Sequence, residues 1–308
     1  MFKNLVASLF ERPKEVAGSF LARMASERDA YGISKLFEEA YERDDLPYFR
    51  GEHIEGYFNP DNIKERIADD KWSWVVFLAG DNLAGTAVLR EEVLISELGH
   101  ISPKYDGVVT HDFYIVPPRY RGHGITTKFL DQLYAETQGK HNYVIHDLLV
   151  LSPATRGMRR VLQKKNGGSA LGIYPNKLVA KSGKTESLLL VSHYPTPPEI
   201  NARISPELLK LYNIIAGQFG HPWPVLVQYT ADSPAMLMEK DEVVVDASDP
   251  QEQKNAVQSG FVPIALIPEA DAIVMTRHNT DLEIDFLLDE GIEVNNKLAG
   301  YLKNVARK

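Results

Sequence analysis

The stretch that most constrains this chain is the run Val108 to Val116, rich in β-branched and aromatic residues, stopped by Pro117-Pro118 and followed at once by Arg119-Tyr120-Arg121-Gly122-His123-Gly124-Ile125. Proline cannot donate to a ladder, so the run predicts a strand that ends there. A helix is expected from about Gly124 to Thr137, and it opens without a side-chain cap. Its first N–H groups then point outward at the positive end of a helix dipole. Such a turn is an anion site. Glycine at 122 and 124 removes the Cβ atoms that would keep a pyrophosphate away, Arg119 and Arg121 can add charge-assisted contacts, and Thr126 and Thr127 are placed to reach the same phosphates.

The surroundings of this turn alternate between strand and helix signals, which indicates an α/β fold. Gly18 to Met24 reads as a strand, and Ser26-Glu27-Arg28-Asp29 caps a helix running to about Tyr41. A second helix is expected from Asn59-Pro60-Asp61 to about Asp70. Trp72 to Ala79 and Leu83 to Leu89 form a hairpin about Gly80-Asp81-Asn82. Arg90 to Asp106 is a polar connection. Tyr143 to Leu151 is the next strand, Pro153 to Lys165 a basic helix, and Ala170 to Ile173 and Ser187 to Val191 two further strands.

Tyr194-Pro195-Thr196-Pro197-Pro198 punctuates the pattern and divides the chain into residues 1–195 and 196–308. The second part reads as a smaller α/β unit. It has helices at Ser205 to Phe219 and Pro250 to Ser259, and strands near Val225 to Tyr229, Ala235 to Met238, Val243 to Asp246, Pro263 to Ile267 and Ala272 to Arg277. A terminal helix is expected over Thr280 to Lys308, with Leu287, Leu288, Leu298 and Leu302 as its apolar residues. Leu171-Gly172-Ile173-Tyr174-Pro175 is echoed by Ala265-Leu266-Ile267-Pro268, so a degenerate half-repeat is inferred. A chain of 308 residues accommodates two such units.

Composition narrows the function classes. A formal charge of −8 argues against affinity for phosphodiester backbones, so no nucleic-acid partner is expected. The absence of cysteine removes disulfides, thiolate metal sites and thiol catalysis. Leu5 to Phe10 is too short for a signal-peptide core and reads as a short amphipathic helix. No run approaches the ~20 apolar residues of a membrane span. The expectation is a cytoplasmic protein with no membrane partner, compatible with a homodimer. His146, His193, His221 and His278 are too scattered for zinc, so no metal is expected. Ser152 and Ser187 lack a nucleophile-elbow context.

The segment Arg119 to Gly124 resembles motif A of the GNAT superfamily of N-acetyltransferases, whose pattern is Gln/Arg-x-x-Gly-x-Gly/Ala. Trp74-Val75-Val76 to Gly85 is similar to the family's "W-x-V-A … G" hairpin, and the helix ending at Gly167-Gly168 stands where motif B belongs. The resemblance spans roughly residues 18 to 192. It implies the GNAT fold, a mixed, mostly antiparallel central sheet flanked by helices. It also implies direct attack by an amine on an acyl-CoA thioester, with acetyl-CoA or another acyl-CoA as co-substrate and a small-molecule or protein amine as acceptor.

By that resemblance Phe113 to Val116, including Ile115 and Val116, would hold the pantetheine arm through backbone groups. Arg119, Arg121, Gly122, His123, Gly124, Ile125 and Thr126 would hold the pyrophosphate. An exposed N–H of the strand would face the developing oxyanion, and Asp112 or His111, on opposite faces of the strand, would receive the amine proton. The sequence departs from the family at the general acid. Motif B carries Val161-Leu162-Gln163-Lys164 and no tyrosine, with Tyr174 nearby as a substitute. The basic run Arg156, Arg159, Arg160, Lys164 and Lys165 either faces CoA phosphates or, the favoured reading, forms a solvated helix face. The rival reading is a non-catalytic protein that binds acyl-CoA or a partner.

Overall fold

The computed structural model describes residues 20–42, 56–90, 108–137, 143–149, 157–165, 168–179, 185–193, 203–219, 225–226, 242–268, 272–277 and 292–306. The expected helix at Leu5 to Phe10, the strand at Ala235 to Met238 and the Pro-rich segment lie outside them. The fold is mixed α/β and mostly antiparallel, as expected. It forms two compact units, Met1–Asp45, Glu52–Val88 and Phe113–Ala135 in the first, and Leu46–Gly51, Leu89–Asp112 and Glu136–Lys308 in the second.

The first unit holds β1 (Phe20–Met24), helices α1 (Ala30–Glu42) and α2 (Pro60–Ala68), β2 (Trp72–Ala79), most of β3 (Asn82–Arg90), the end of β4 (Val108–Ile115) and most of α3 (Ile125–Thr137). Strands β1, β2 and β3 are neighbours in that order, followed by β4. The hairpin turn falls on Gly80, with φ of 62°, a left-handed conformation that glycine adopts without a Cβ penalty.

Helix α1 buries Ile33, Leu36, Phe37 and Ala40, a spacing that lines one helical face. A 3-10 turn at Glu27–Asp29 leads into it. There Asp29 accepts from the Ser26 N–H at 2.7 Å and forms a two-pronged pair with Arg23, both bonds 2.8 Å long. Helix α2 starts as its sequence dictates. Asn59 accepts from the Asp61 N–H and Pro60 occupies the first turn. Between the helices and the sheet lie Phe37, Ile63, Trp74, Phe77 and Phe129, each no more than 1% exposed. Side chains of this size each contribute roughly 1.5–3 kcal/mol by burial.

The second unit begins with the start of β4, which pairs parallel with β5 (Tyr143–Leu149) over Val108–His111 and Tyr143–His146. Strand order continues β5, β7 (Thr185–His193), β6 (Ser169–Val179), β11 (Val262–Ile267), β12 (Ala272–Thr276) and β10 (Glu242–Asp246). Strand β6 is longer than Ala170 to Ile173 and runs through Pro175, with register shifts on β7 at Ala170/Gly172 and Tyr174/Leu178. The second irregularity spans the proline, which has no N–H for a regular ladder.

Strand β11 meets β6 at Ala265 and Gly172. A Cβ on Gly172 would collide with Ala265 and the Ile264 carbonyl. The helices of this unit are α4 (Leu209–Ala216), α5 (Pro250–Gln258) and α6 (Glu293–Ala306), with a short sheet of β8 (Arg203–Ile204) and β9 (Val225–Leu226). Leu298 and Leu302 of α6 are fully buried; Leu287 and Leu288 lie outside the described residues.

Glutamine side chains replace missing ladder partners here. Gln218 both accepts from the Ala170 N–H and donates to the Ala170 carbonyl, each at 2.8 Å. Gln253, fully buried, accepts from the Ser205 N–H and donates to the carbonyls of Arg203, Asp246 and Ala247. Buried peptide groups left unpaired would each cost about 1–3 kcal/mol.

Candidate functional site

The glycine turn lies wholly within the first unit. Strand β4 ends at Ile115, and a 3-10 turn over Pro118–Tyr120 follows, closed by Tyr120 N–H to the Pro117 carbonyl at 2.9 Å and Arg121 N–H to the Pro118 carbonyl at 3.1 Å. The next residues rise out of the right-handed region. Gly122 has φ of 81° and Gly124 φ of 75°, where an L side chain costs roughly 1–2 kcal/mol. An ideal Cβ on either would meet no atom within 4 Å, so it is the backbone conformation that calls for glycine, with open space above it.

Helix α3 starts immediately. The Gly124 carbonyl accepts from the N–H groups of Thr127 and Lys128, at 3.2 and 3.3 Å. Among the described residues, no acceptor meets the N–H of Gly122, His123, Gly124, Ile125 or Thr126. Free donors at a helix start, with no Cβ in front of them, form an arrangement suited to phosphate oxygens.

Side chains around the turn do several jobs. Arg121 donates from Nε to the Val116 carbonyl at 2.9 Å, which ties the turn back to the strand end and fixes one edge of the guanidinium. Arg119 is exposed and lies 3.4 Å from Glu39, a surface contact that restrains it little. Thr126 shares a 2.7 Å hydrogen bond with the Tyr114 hydroxyl. Its side chain therefore braces the helix start, and its N–H is the group left open. Ile115, Val116 and Ile125 are buried, at 4%, 8% and 3% exposure.

His123 sits half-buried with Nδ1 at 2.9 Å from the Arg121 carbonyl and 3.2 Å from the Tyr120 carbonyl. Carbonyls only accept, so Nδ1 carries the proton. The ring lies 5.7 Å from that of Phe20, which also meets Tyr120 edge-on at 6.2 Å. Lys128 Nζ donates to the Phe20 carbonyl at 2.9 Å. Phe20 and Lys128 thus belong to the support of the turn, and no sequence signal pairs residues so far apart.

Beneath the turn, the Tyr114 ring packs on Phe129 at 5.2 Å and on Phe77 at 6.5 Å. Burial pushes the Tyr114 hydroxyl far above the usual phenol range, so it remains protonated and available to the Thr126 bond. Gly85 of β3 faces this strand end, since a Cβ there would stand 2.8 Å from the Ile115 carbonyl. The backbone of β3 approaches β4 only because position 85 lacks a side chain.

The two proton-acceptor candidates lie on β4, where His111 stands opposite His146 in the parallel ladder. The side chains of His111 and Asp112 lie outside the described residues.

The general-acid substitute is corrected by the structure. Tyr174 is 0% exposed, so its hydroxyl has no access to a leaving group. The basic helix is corrected too. Arg159 is 2% exposed and does not belong to a solvated face, whereas Arg160 is exposed. Arg160–Lys165 is wound as a π-helix, closed by the Gly168 N–H on the Leu162 carbonyl at 2.8 Å. Gln163 and Asn295 exchange two amide hydrogen bonds, both 2.9 Å long, which hold this segment to α6.

No protein-family profile matches the chain, and no curated protein matches it. Solved structures do. It is similar to yncA from Salmonella typhimurium, solved with acetyl-CoA, at 15% identity over 57% of this chain and 94% of that one, with a TM-score of 0.44. An N-acetyltransferase from Staphylococcus aureus Mu50 is similar at 17% identity over 57% and 99%, with a TM-score of 0.45. So is the ribosomal-protein-S5-alanine acetyltransferase of Vibrio fischeri, at 16% identity over 57% and 92%, with a TM-score of 0.43.

Proposed function

We propose that the chain is an acyl-CoA-dependent N-acyltransferase, with acetyl-CoA as the preferred donor and an amine of a small molecule or protein as acceptor. One observation carries this reading. Two left-handed glycines flank His123 at the start of α3, and five consecutive N–H groups there meet no acceptor among the described residues. A pyrophosphate supplies the acceptors that such donors lack. On this reading Ile115 and Val116 present backbone to the pantetheine arm, and Arg119 and Arg121 add positive charge beside the phosphates.

Chemistry on this scaffold needs a neutral amine. Asp112 or His111 on β4 takes the proton, directly or through water. The departing thiolate, with a pKa of ~8.5 by analogy with cysteine, leaves without full protonation, which suits a chain whose Tyr174 is buried and whose π-helical segment has no tyrosine. The same two facts favour a second reading, a non-catalytic acyl-CoA-binding protein. Within the proposal, residues 1–195 form the donor-binding domain, 196–308 an appended α/β unit, and the protein works in the cytoplasm.

Titration calorimetry with CoA and acetyl-CoA tests the donor site. Incubation of the protein and isotope-labelled acetyl-CoA with cell extract, followed by mass spectrometry, tests turnover. Binding with label transfer supports the enzyme, and binding without transfer supports the second reading. No binding sinks both.

A further inference from the structure

Away from the glycine turn but in the same unit, Arg66 of α2 is held in an aromatic cluster. Its guanidinium carbon lies over the Tyr57 ring at 4.2 Å and over the Trp72 ring at 5.1 Å. Tyr57 stacks on Phe37 at 4.7 Å and lies 6.2 Å from Trp74. Ring faces stabilise a guanidinium through its π surface and leave its in-plane N–H edges without acceptors. Nη1 is buried with no hydrogen-bond partner among the described residues, and the same holds for Nε1 of Trp74 in the same cluster.

Buried cationic donors are ordinarily paired. Here even the space is shaped for the guanidinium, because a Cβ on Gly56 would stand 2.9 Å from Arg66 Nη2. Arg66 as a whole is half-buried, so part of the side chain meets solvent although Nη1 itself is covered.

The geometry points to Arg66 as the reader of a carboxylate on the acceptor amine, an inference that rests on the acyltransferase reading. A carboxylate is planar and bidentate, which matches the in-plane donors of a guanidinium that lies over two rings. Strand β2 links the two places. Trp72 at its start meets Arg66, and Phe77, five residues on, packs against Tyr114 at the end of β4. At about 3.3 Å per residue Trp72 and Phe77 are roughly 17 Å apart along the strand. An acceptor bound at Arg66 would sit apart from the phosphates.

The test titrates standard amino acids and their carboxamides into the full chain at saturating CoA, following tryptophan emission. At least one acid should bind about ten- to a hundredfold more tightly than its own amide. The gap should close in Arg66→Gln, and also in Gly56→Ala, which keeps the charge and displaces the guanidinium. CoA affinity by calorimetry should be unchanged in both variants. The inference is overturned if no acid outbinds its amide, or if a preference survives both substitutions. Failure of the native chain to bind CoA would count against the acyltransferase reading instead, and the acid and amide comparison without CoA then decides the carboxylate site on its own.

Discussion

The Tyr114 hydroxyl and Thr126 Oγ1 lie 2.7 Å apart, a bond that ties the last turn of strand β4 to the first turn of helix α3 across the glycine loop. Tyr114→Phe removes it without removing the ring. The expected cost is about 1 kcal/mol of unfolding free energy, read by urea denaturation. CoA affinity should fall several-fold, because the N–H groups of α3 lose one of their anchors. Unchanged affinity would mean that Arg121 and the glycines hold the turn by themselves.

Gly124→Glu should abolish CoA binding, because a carboxylate would stand where the phosphates are expected. Its φ of 75° adds roughly 1–2 kcal/mol of strain, small enough for the fold to survive. Calorimetry on a variant that still melts cooperatively makes the measurement, and native-like affinity would refute the site.

The Asp29 carboxyl is held well below the usual carboxylate range, first by its hydrogen bonds from Arg23 and then by those from Ser26, against the opposing effect of burial. Its folded pKa is lower than its unfolded value of ~3.9. The unfolded chain therefore binds more protons over that window, and stability rises with pH there. The contribution is complete above about pH 4 and is lost as pH falls below it. Asp29→Asn should be less stable than the native chain at neutral pH, with a shallower loss of stability between about pH 4 and 2 in acid titrations of the melting temperature.

Gln163 and Asn295 form a reciprocal amide pair, with Asn295 fully buried. Gln163→Ala leaves a buried amide without partners and should cost about 1–3 kcal/mol. In a double-mutant cycle with Asn295→Ala, the combined loss should be smaller than the sum, by about 0.5–3 kcal/mol. Strict additivity would show that the pair does not act as a unit.

At Gly172 the strands β6 and β11 meet backbone to backbone, and a methyl group would strike Ala265 and the Ile264 carbonyl. Gly172→Ala should destabilise the second unit by about 1–3 kcal/mol through overpacking. Hydrogen exchange localised to β6 and β11 would detect it.

Local chemistry was legible in the sequence because its causes are local. Asn59-Pro60-Asp61 starts α2, Gly80 turns the hairpin, and Gly122 and Gly124 take the left-handed conformations for which only glycine is unstrained. The buried face of α1, with Ile33, Leu36, Phe37 and Ala40, is of the same local kind, an apolar spacing that lines one side of a helix.

Other features depend on partners that no short window contains. Arg159 lies in a run of basic residues that reads as a solvated face, yet it is 2% exposed, because a long side chain follows the packing around it as well as its own periodicity. Tyr174 stands in sequence where a substitute acid would be useful, and tertiary packing buries it completely. The sequence by itself determined the turn Arg119 to Ile125, since positive-φ glycines and an uncapped helix start are backbone properties of consecutive residues. Only the tertiary structure decided that Tyr114, Lys128 and Phe20 brace that turn and that Arg66 lies over Tyr57 and Trp72. Those contacts join residues that the chain brings together only when its apolar faces collapse into one core.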